Sequence, residues 1–385
     1  MTAHPPPARA PVVIAAGELD ALIGWLRDDG YRVMGPTARD GAIVFDELRG
    51  GSDLPIGWGD EQAPGRYRLR RRDDDARFGW AVGPQGARRE LSPPTVTLVT
   101  IRRGTDDAGR GTFDAVAADH ERDAPVALFG LRPCEVAAMA VHDRVMLDGA
   151  YPDPVQAARG AGRAVVSVDC ASPASTCFCS TMGTGPSLPP DRRDLVDLRV
   201  AELDPEGDHR FVLWSHSTLG DRALGAVASR PAEPIDLDAA ARAERAACDA
   251  IVRHVDGASA RRIHLVPEDP RWEDVARRCL SCANCTMVCP TCFCSTTVDE
   301  VDLGGDVVTR SRTWDSCFTI DHSYLHGGAV RASTRSRYRQ WLTHKFAFWW
   351  EQFDESGCVG CGRCITWCPA GIDVTEELDV LGRRL

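Results

Sequence analysis

The sequence predicts two parts: a mixed α/β (α+β) domain over residues 1–260 and an all-α, cysteine-rich domain over residues 261–385. Three observations carry this. Short strand-like and helix-like apolar patterns alternate as far as Val266, helical patterns replace them from Pro270 onward, and eleven of the 16 cysteines fall between Cys279 and Cys368. A chain of 385 residues exceeds the roughly 150 of an average domain.

The elements follow in order. Leu19, Leu22, Ile23 and Leu26 recur at helical spacing and end at Gly30, and Ile43 to Phe45 form a brief apolar run. Arg66 to Arg77 reads as a solvated loop. Candidate strands are Val96 to Ile101, Val126 to Leu131, Val165 to Val168, Phe211 to Trp214 and Ile263 to Val266. The Ala-, Arg- and Glu-rich run from Leu237 to Val255 reads as a helix, with Cys248 a core residue in it. A second helix spans Arg335 to Phe353, where Tyr338, Trp341, Leu342, Phe346, Trp349, Trp350 and Phe353 share one face. That stripe is expected to be core packing rather than a cofactor-stacking surface.

Composition excludes several classes. No stretch approaches the ~20 apolar residues of a membrane span, so no membrane partner is expected. The net charge of −11 argues against a nucleic-acid partner, which needs a positive surface; the expected partners are proteins. The opening MTAHPPPARAPVVIAAGELD lacks the apolar segment and cleavage pattern of a secretory signal. A cytoplasmic location with reduced thiols is therefore expected, and cysteine wealth there points to metal or redox chemistry.

The cysteine spacing sharpens this. CLSCANCTMVCP sets Cys279, Cys282, Cys285 and Cys289 at C-x2-C-x2-C-x3-C-P, and CVGCGRCITWCP repeats it with Cys358, Cys361, Cys364 and Cys368. Three closely spaced thiolates can wrap one face of a 4Fe-4S cubane, while the fourth, before proline, serves the other cluster of a two-cluster protein. The expected ligand sets are thus Cys279, Cys282, Cys285 with Cys368, and Cys358, Cys361, Cys364 with Cys289. Structural zinc favours two separated C-x2-C knuckles, so a zinc scaffold is the weaker match. The 68 residues between the motifs contain the aromatic helix, which suggests a helical ferredoxin-like dicluster domain.

Other cysteines repeat a phrase. TCFCST occurs at Thr176 to Thr181 and at Thr291 to Thr296. Cys134, Cys170, Cys177 and Cys179 would supply a third 4Fe-4S cluster or else are buried free thiols, and both readings stay open; Cys292, Cys294 and Cys317 form an incomplete set. There is no G-x-G-x-x-G after a strand and no P-loop, so no nucleotide or flavin site is expected, and no catalytic residue is assigned. The basic segment with Arg310, Arg312, His322, His326, Arg331, Arg335, Arg337, Arg339, His344 and Lys345 is expected to balance anionic clusters or contact a partner.

The chain resembles the iron–sulfur β subunit of cytosolic NAD(P)-linked [NiFe] hydrogenases, or sulfhydrogenases, to which the A subunit of anaerobic sulfite reductase is related. The resemblance rests on YRVMGP (31–36), FGWAVGPQGARRELSPP (78–94), LFGLRPCEVAAM (128–139), TCFCSTMGTGP (176–186), the two ferredoxin motifs, WDSCF (314–318) and RYRQWLTHKF (337–346). Trp341 stands where another basic residue would be expected. The resemblance implies an electron-transfer subunit between hydrogenase large and small subunits and an FAD/NAD(P)-binding subunit. The runner-up is an electron-input subunit of a sulfite or polysulfide reductase.

Overall fold

The computed structural model describes residues 9–120 and 124–385; most of the proline-rich opening, residues 1–8, lies outside them. The chain begins with β1 (Val12–Ala15), α1 (Glu18–Asp28), β2 (Arg32–Arg39) and β3 (Ala42–Glu47). Helix α1 buries Leu19, Leu22, Ile23 and Leu26, and the chain turns away at Gly30, whose φ of 93° suits glycine. A hairpin of β4 (Trp58–Ala63) and β5 (Arg66–Arg71) follows. The arginine-rich segment expected as a loop is therefore a strand in its first half, with Tyr67 buried between exposed Arg66 and Arg68.

Next come α2 (Arg88–Leu91), β6 (Thr95–Thr105), β7 (Gly111–Ala117), β8 (Val126–Leu131), α3 (Pro133–Met146), α4 (Pro154–Gly160) and β9 (Ala164–Val168). After them stand β10 (Leu198–Leu203), β11 (Arg210–Ser215), α5 (Thr218–Ala226), β12 (Arg230–Pro231) and α6 (Pro234–Ala250). An eight-stranded sheet runs in the order β12-β1-β11-β10-β9-β8-β2-β3, with β2, β8, β9 and β10 mutually parallel. Strands β8 and β9 are buried throughout, which is why they read as unbroken apolar runs rather than alternating ones. One face packs Leu22 and Ala223 of α1 and α5 on Phe129 and Val166; the other packs Val136 and Met139 of α3 on Leu128 and Val165. Helix α6 stops at Ala250, short of the expected end, and Cys248 is exposed rather than core.

The remaining elements are α7 (Gly257–Ala260), α8 (Arg271–Arg278), α9 (Asn284–Met287), β13 (Ser295–Val301), β14 (Val307–Trp314), β15 (Tyr324–Leu325), β16 (Gly328–Ala329), α10 (Thr334–Thr343), α11 (Trp349–Phe353), α12 (Arg363–Thr366) and α13 (Val374–Gly382). The expectation of an all-α second part is corrected here. Strands β13 and β14 join β6 and β7 in a four-stranded antiparallel sheet, order β13-β14-β6-β7, so one sheet draws strands from both parts. Its outer strands β7 and β13 are exposed and β14 is only half-buried, so these three lack the buried apolar face that marks a strand in sequence, whereas β6 contains the expected strand Val96 to Ile101. Ile263 to Leu265 form a 3-10 turn, not a strand. The stretch from Thr334 to Phe353 is helical as expected, with a π turn at His344–Phe348, and its stripe buries Tyr338, Trp341, Leu342, Phe346 and Trp349.

Candidate functional site

The two ferredoxin motifs share one backbone course. Ser281 and Gly360 lie at equivalent positions with φ of 51° and 66°, and Ala283 and Gly362 with 64° and 72°. Left-handed residues cost ~1–2 kcal/mol when they carry a Cβ, but this course aims backbone N–H groups at sulfur. Ser281 N–H donates to Cys279 Sγ and Gly360 N–H to Cys358 Sγ, each at 3.4 Å. Ile372 N–H donates likewise to Cys368 Sγ at 3.4 Å. Glycine is required in the second motif by crowding: a Cβ on Gly360 would stand 2.7 Å from the Cys179 backbone, and one on Gly362 2.5 Å from the Thr176 carbonyl.

The structure gathers the eight cysteines in two adjoining sets. Cys279, Cys282, Cys285 and Cys368 face one another around a small pocket that Tyr338 and Trp341 also line. The aromatic stripe thus serves both core and site. Cys358, Cys361 and Cys364 face Cys289, and Cys364 also faces Cys285 of the first set. Each motif's fourth cysteine stands with the other motif's three.

The first part contributes a third group. Cys134 opens α3 and Cys170 follows β9, so both lie past the carboxyl ends of adjacent parallel strands, where open α/β sheets gather their ligands. The loop carrying Cys177 and Cys179 folds over them onto the second motif. Phe178 N–H donates to the Gly360 carbonyl at 2.8 Å, Thr176 Oγ1 meets Thr366 Oγ1 at 2.8 Å, and Thr184 Oγ1 donates to the Val359 carbonyl at 2.6 Å. Cys134, Cys179 and Cys361 pack in one apolar cluster.

Charged side chains that the spacing did not single out surround these thiols. Arg363, fully buried, donates from Nη2 to Glu135 Oε1 at 2.7 Å and from Nε to the Gly83 carbonyl at 2.6 Å, tying the second motif to α3. Lys345, expected among the balancing charges, is buried in the π turn, where Nζ donates to Thr291 Oγ1 at 2.8 Å and the Gly357 carbonyl at 3.2 Å beside Cys289, Cys292 and Cys358. Arg88 lies over the Trp314 ring and donates to the Thr286 and Cys289 carbonyls at 3.1 and 3.0 Å. Tyr67 stacks on Trp367 with centroids 5.1 Å apart. Among the basic segment's other members, Arg310 and Arg335 pair with Asp299 and Glu268 on the surface.

Burial raises most of the thiols. It pushes Cys179 and Cys358 up to about 12, and Cys134, Cys177, Cys285 and Cys364 well above the ordinary range. Ligation therefore has to expel a proton from each, which a bound metal does. Among the described residues no three His, Cys, Asp or Glu side chains converge on a single ion. Gathered but spread thiols fit a polynuclear cluster, in which each iron takes its own thiolate, better than a zinc ion ~2.3 Å from every sulfur. With N–H groups on sulfur, small left-handed residues and buried cations, the residues present fit 4Fe-4S clusters.

Fold and site together define an iron–sulfur protein, and residues 278–372 match the 4Fe-4S dicluster domain family. Over 270 residues the chain is 30% identical to the sulfhydrogenase 2 subunit beta of Pyrococcus furiosus, covering 67% of this chain and 74% of that protein. The chain belongs to the sulfhydrogenase β-subunit family. No helix among the described residues is long and apolar enough to cross a membrane.

Proposed function

We propose that this chain is a cytoplasmic electron-transfer subunit that carries electrons between a [NiFe] hydrogenase module, formed by large and small subunits, and an FAD/NAD(P)-binding subunit. When bound, 4Fe-4S clusters supply one-electron storage with little nuclear rearrangement. The chain's own residues hold, shield and tune them. The observation that carries the reading is the meeting of the two ferredoxin cysteine sets, each completed by the other motif's fourth cysteine. We assign Cys279, Cys282, Cys285 and Cys368 to one cluster, Cys358, Cys361, Cys364 and Cys289 to the second, and Cys134, Cys170, Cys177 and Cys179 to a third.

The contacts support an order. Cys285 of the first set and Cys364 of the second line one pocket, and Cys361 of the second packs in one apolar cluster with Cys134 of the third, so we place the second set in the middle of the wire. At one end Cys282 is exposed, next to Leu280, which is 68% exposed; electrons exchange with a partner there. The third set is almost wholly enclosed.

Iron and acid-labile sulfide on anaerobically purified protein test this. The three-cluster reading expects at least about twelve of each per chain, and about eight would confine the wire to the ferredoxin motifs. Cys285→Ser should alter the paramagnetic resonance of one cluster; unchanged iron and spectrum would overturn the ligand assignment. Zinc without sulfide would overturn electron transfer itself.

A further inference from the structure

Cys292, Cys294 and Cys317 are left over from the three sets, and the fold sets two of them, Cys294 and Cys317, against each other. Ser295 pairs with Trp314 at the base of the β13–β14 hairpin, and Asp315 N–H donates to the Cys294 carbonyl at 2.9 Å. This brings Cys294 and Cys317 together. Cys292 packs in the same loop beside Cys289. The turn holding Cys317 is seated like the one holding Cys177. Ser316 Oγ meets Thr286 Oγ1 of the first motif at 2.7 Å, as Thr176 Oγ1 meets Thr366 Oγ1 of the second. In both, a hydroxyl residue, a cysteine and a phenylalanine follow one another.

Charge gives an independent reason to place an anion here. Arg88 and Lys345 are 8% and 5% exposed, and neither has a carboxylate partner among the described residues. His142 beside them is held neutral by burial, at about 4, and is no substitute. Arg88 faces Cys292 first, then Cys289 and Cys294, and Lys345 acts on Cys292, Cys294 and Cys317 as well as Cys289. Buried cations need a nearby anion, and ligated thiolates here, together with Cys289, would supply it. A fourth donor is oriented nearby: His322 Nδ1 bonds Asp315 Oδ2 at 3.0 Å. That carboxylate–imidazole pairing fixes a metal-binding histidine and leaves Nε2 as the ligand atom.

We propose that Cys292, Cys294, Cys317 and His322 Nε2 hold a further 4Fe-4S cluster, beside the junction of the two ferredoxin sets. On ligation each thiol exchanges its S–H bond for an S–Fe bond and releases one proton, while the imidazole binds through its lone pair and keeps Nδ1–H on Asp315. No single ion is invoked, because no three donors converge on one position among the described residues. The proposal rests on the iron–sulfur reading above, and its test separates the two.

Full-length Cys294→Ser/Cys317→Ser protein, purified anaerobically beside wild type, is assayed for iron, sulfide and zinc. The expected result is a loss of about four iron and four sulfide per chain with the ferredoxin resonance signals retained. Wild-type iron in the variant, or zinc displaced from wild type by the substitutions, overturns the proposal and leaves the ferredoxin clusters standing. Wild type without iron overturns both. If the double variant loses all its iron, His322→Ala decides. Loss of the same about four iron, or a shifted resonance signal at full iron, supports the site, and unchanged iron with an unchanged spectrum overturns it.

Discussion

Replacing Lys345 by Met should lower the reduction potential of the middle cluster. The lysine is buried with its ammonium beside Cys289 and Cys358, both assigned to that cluster, so an added electron is stabilised by a fixed positive charge. Unit charges roughly 8 Å apart interact by about 2 kcal/mol at an effective dielectric of about 20. For a one-electron couple this is about 90 mV, since about 59 mV corresponds to a tenfold change. The substitution strands no polar group, because Thr291 Oγ1 donates to the Gly357 carbonyl at 2.8 Å without the lysine. An anaerobic redox titration followed by paramagnetic resonance reads the shift, with Lys345→Arg as the charge-retaining control. A potential that moves by less than about 20 mV, or rises, refutes this electrostatic reasoning.

Gly362→Ala should destabilise the second motif by at least about 2 kcal/mol, since its Cβ meets a carbonyl and a left-handed alanine is itself unfavourable; iron per chain should fall. Ala283→Gly, at the equivalent position of the first motif, should retain full iron and be neutral or about 1 kcal/mol more stable in thermal unfolding. Glu135→Gln leaves Arg363 buried without its carboxylate and should cost about 3–5 kcal/mol in the apoprotein, with a smaller cost once anionic clusters are loaded; melting curves of both forms compare them. Cys179 and Cys358, raised from 9.0 to about 12 by burial, make the apo fold depend on pH. Their contribution is whole below about pH 9 and is lost as pH rises toward 12, whereas the loaded protein, its thiols already ionised, should show no such loss in denaturant titrations at pH 8 and 10.

The sequence displayed what local spacing can encode. Both cysteine motifs, the helix at Leu19 to Leu26 and the unbroken strands at Val126 and Ala164 needed no distant partner to be recognised. What escaped was set by distance. Strand β14 pairs with β6 some two hundred residues earlier and β13 joins only through β14; β13 exposes nearly all its side chains and β14 only half-buries its own, so neither carries a buried apolar face. Arg88 and Glu135 sit within quoted motifs, but only the folded chain shows that one lies under the second TCFC loop and the other holds Arg363. Arg66 to Arg71 looked solvated because four arginines hide a single inward Tyr67, whose stacking partner Trp367 is near the other end of the chain.

The exposure of Cys282 and Leu280 has a cost beside its use. A corner open enough for a partner protein to take electrons is open to dioxygen and to chelators. Seating of the neighbouring subunit therefore doubles as armour for that corner, and the isolated chain should begin to decay under air there, while the enclosed Cys134 group outlasts it.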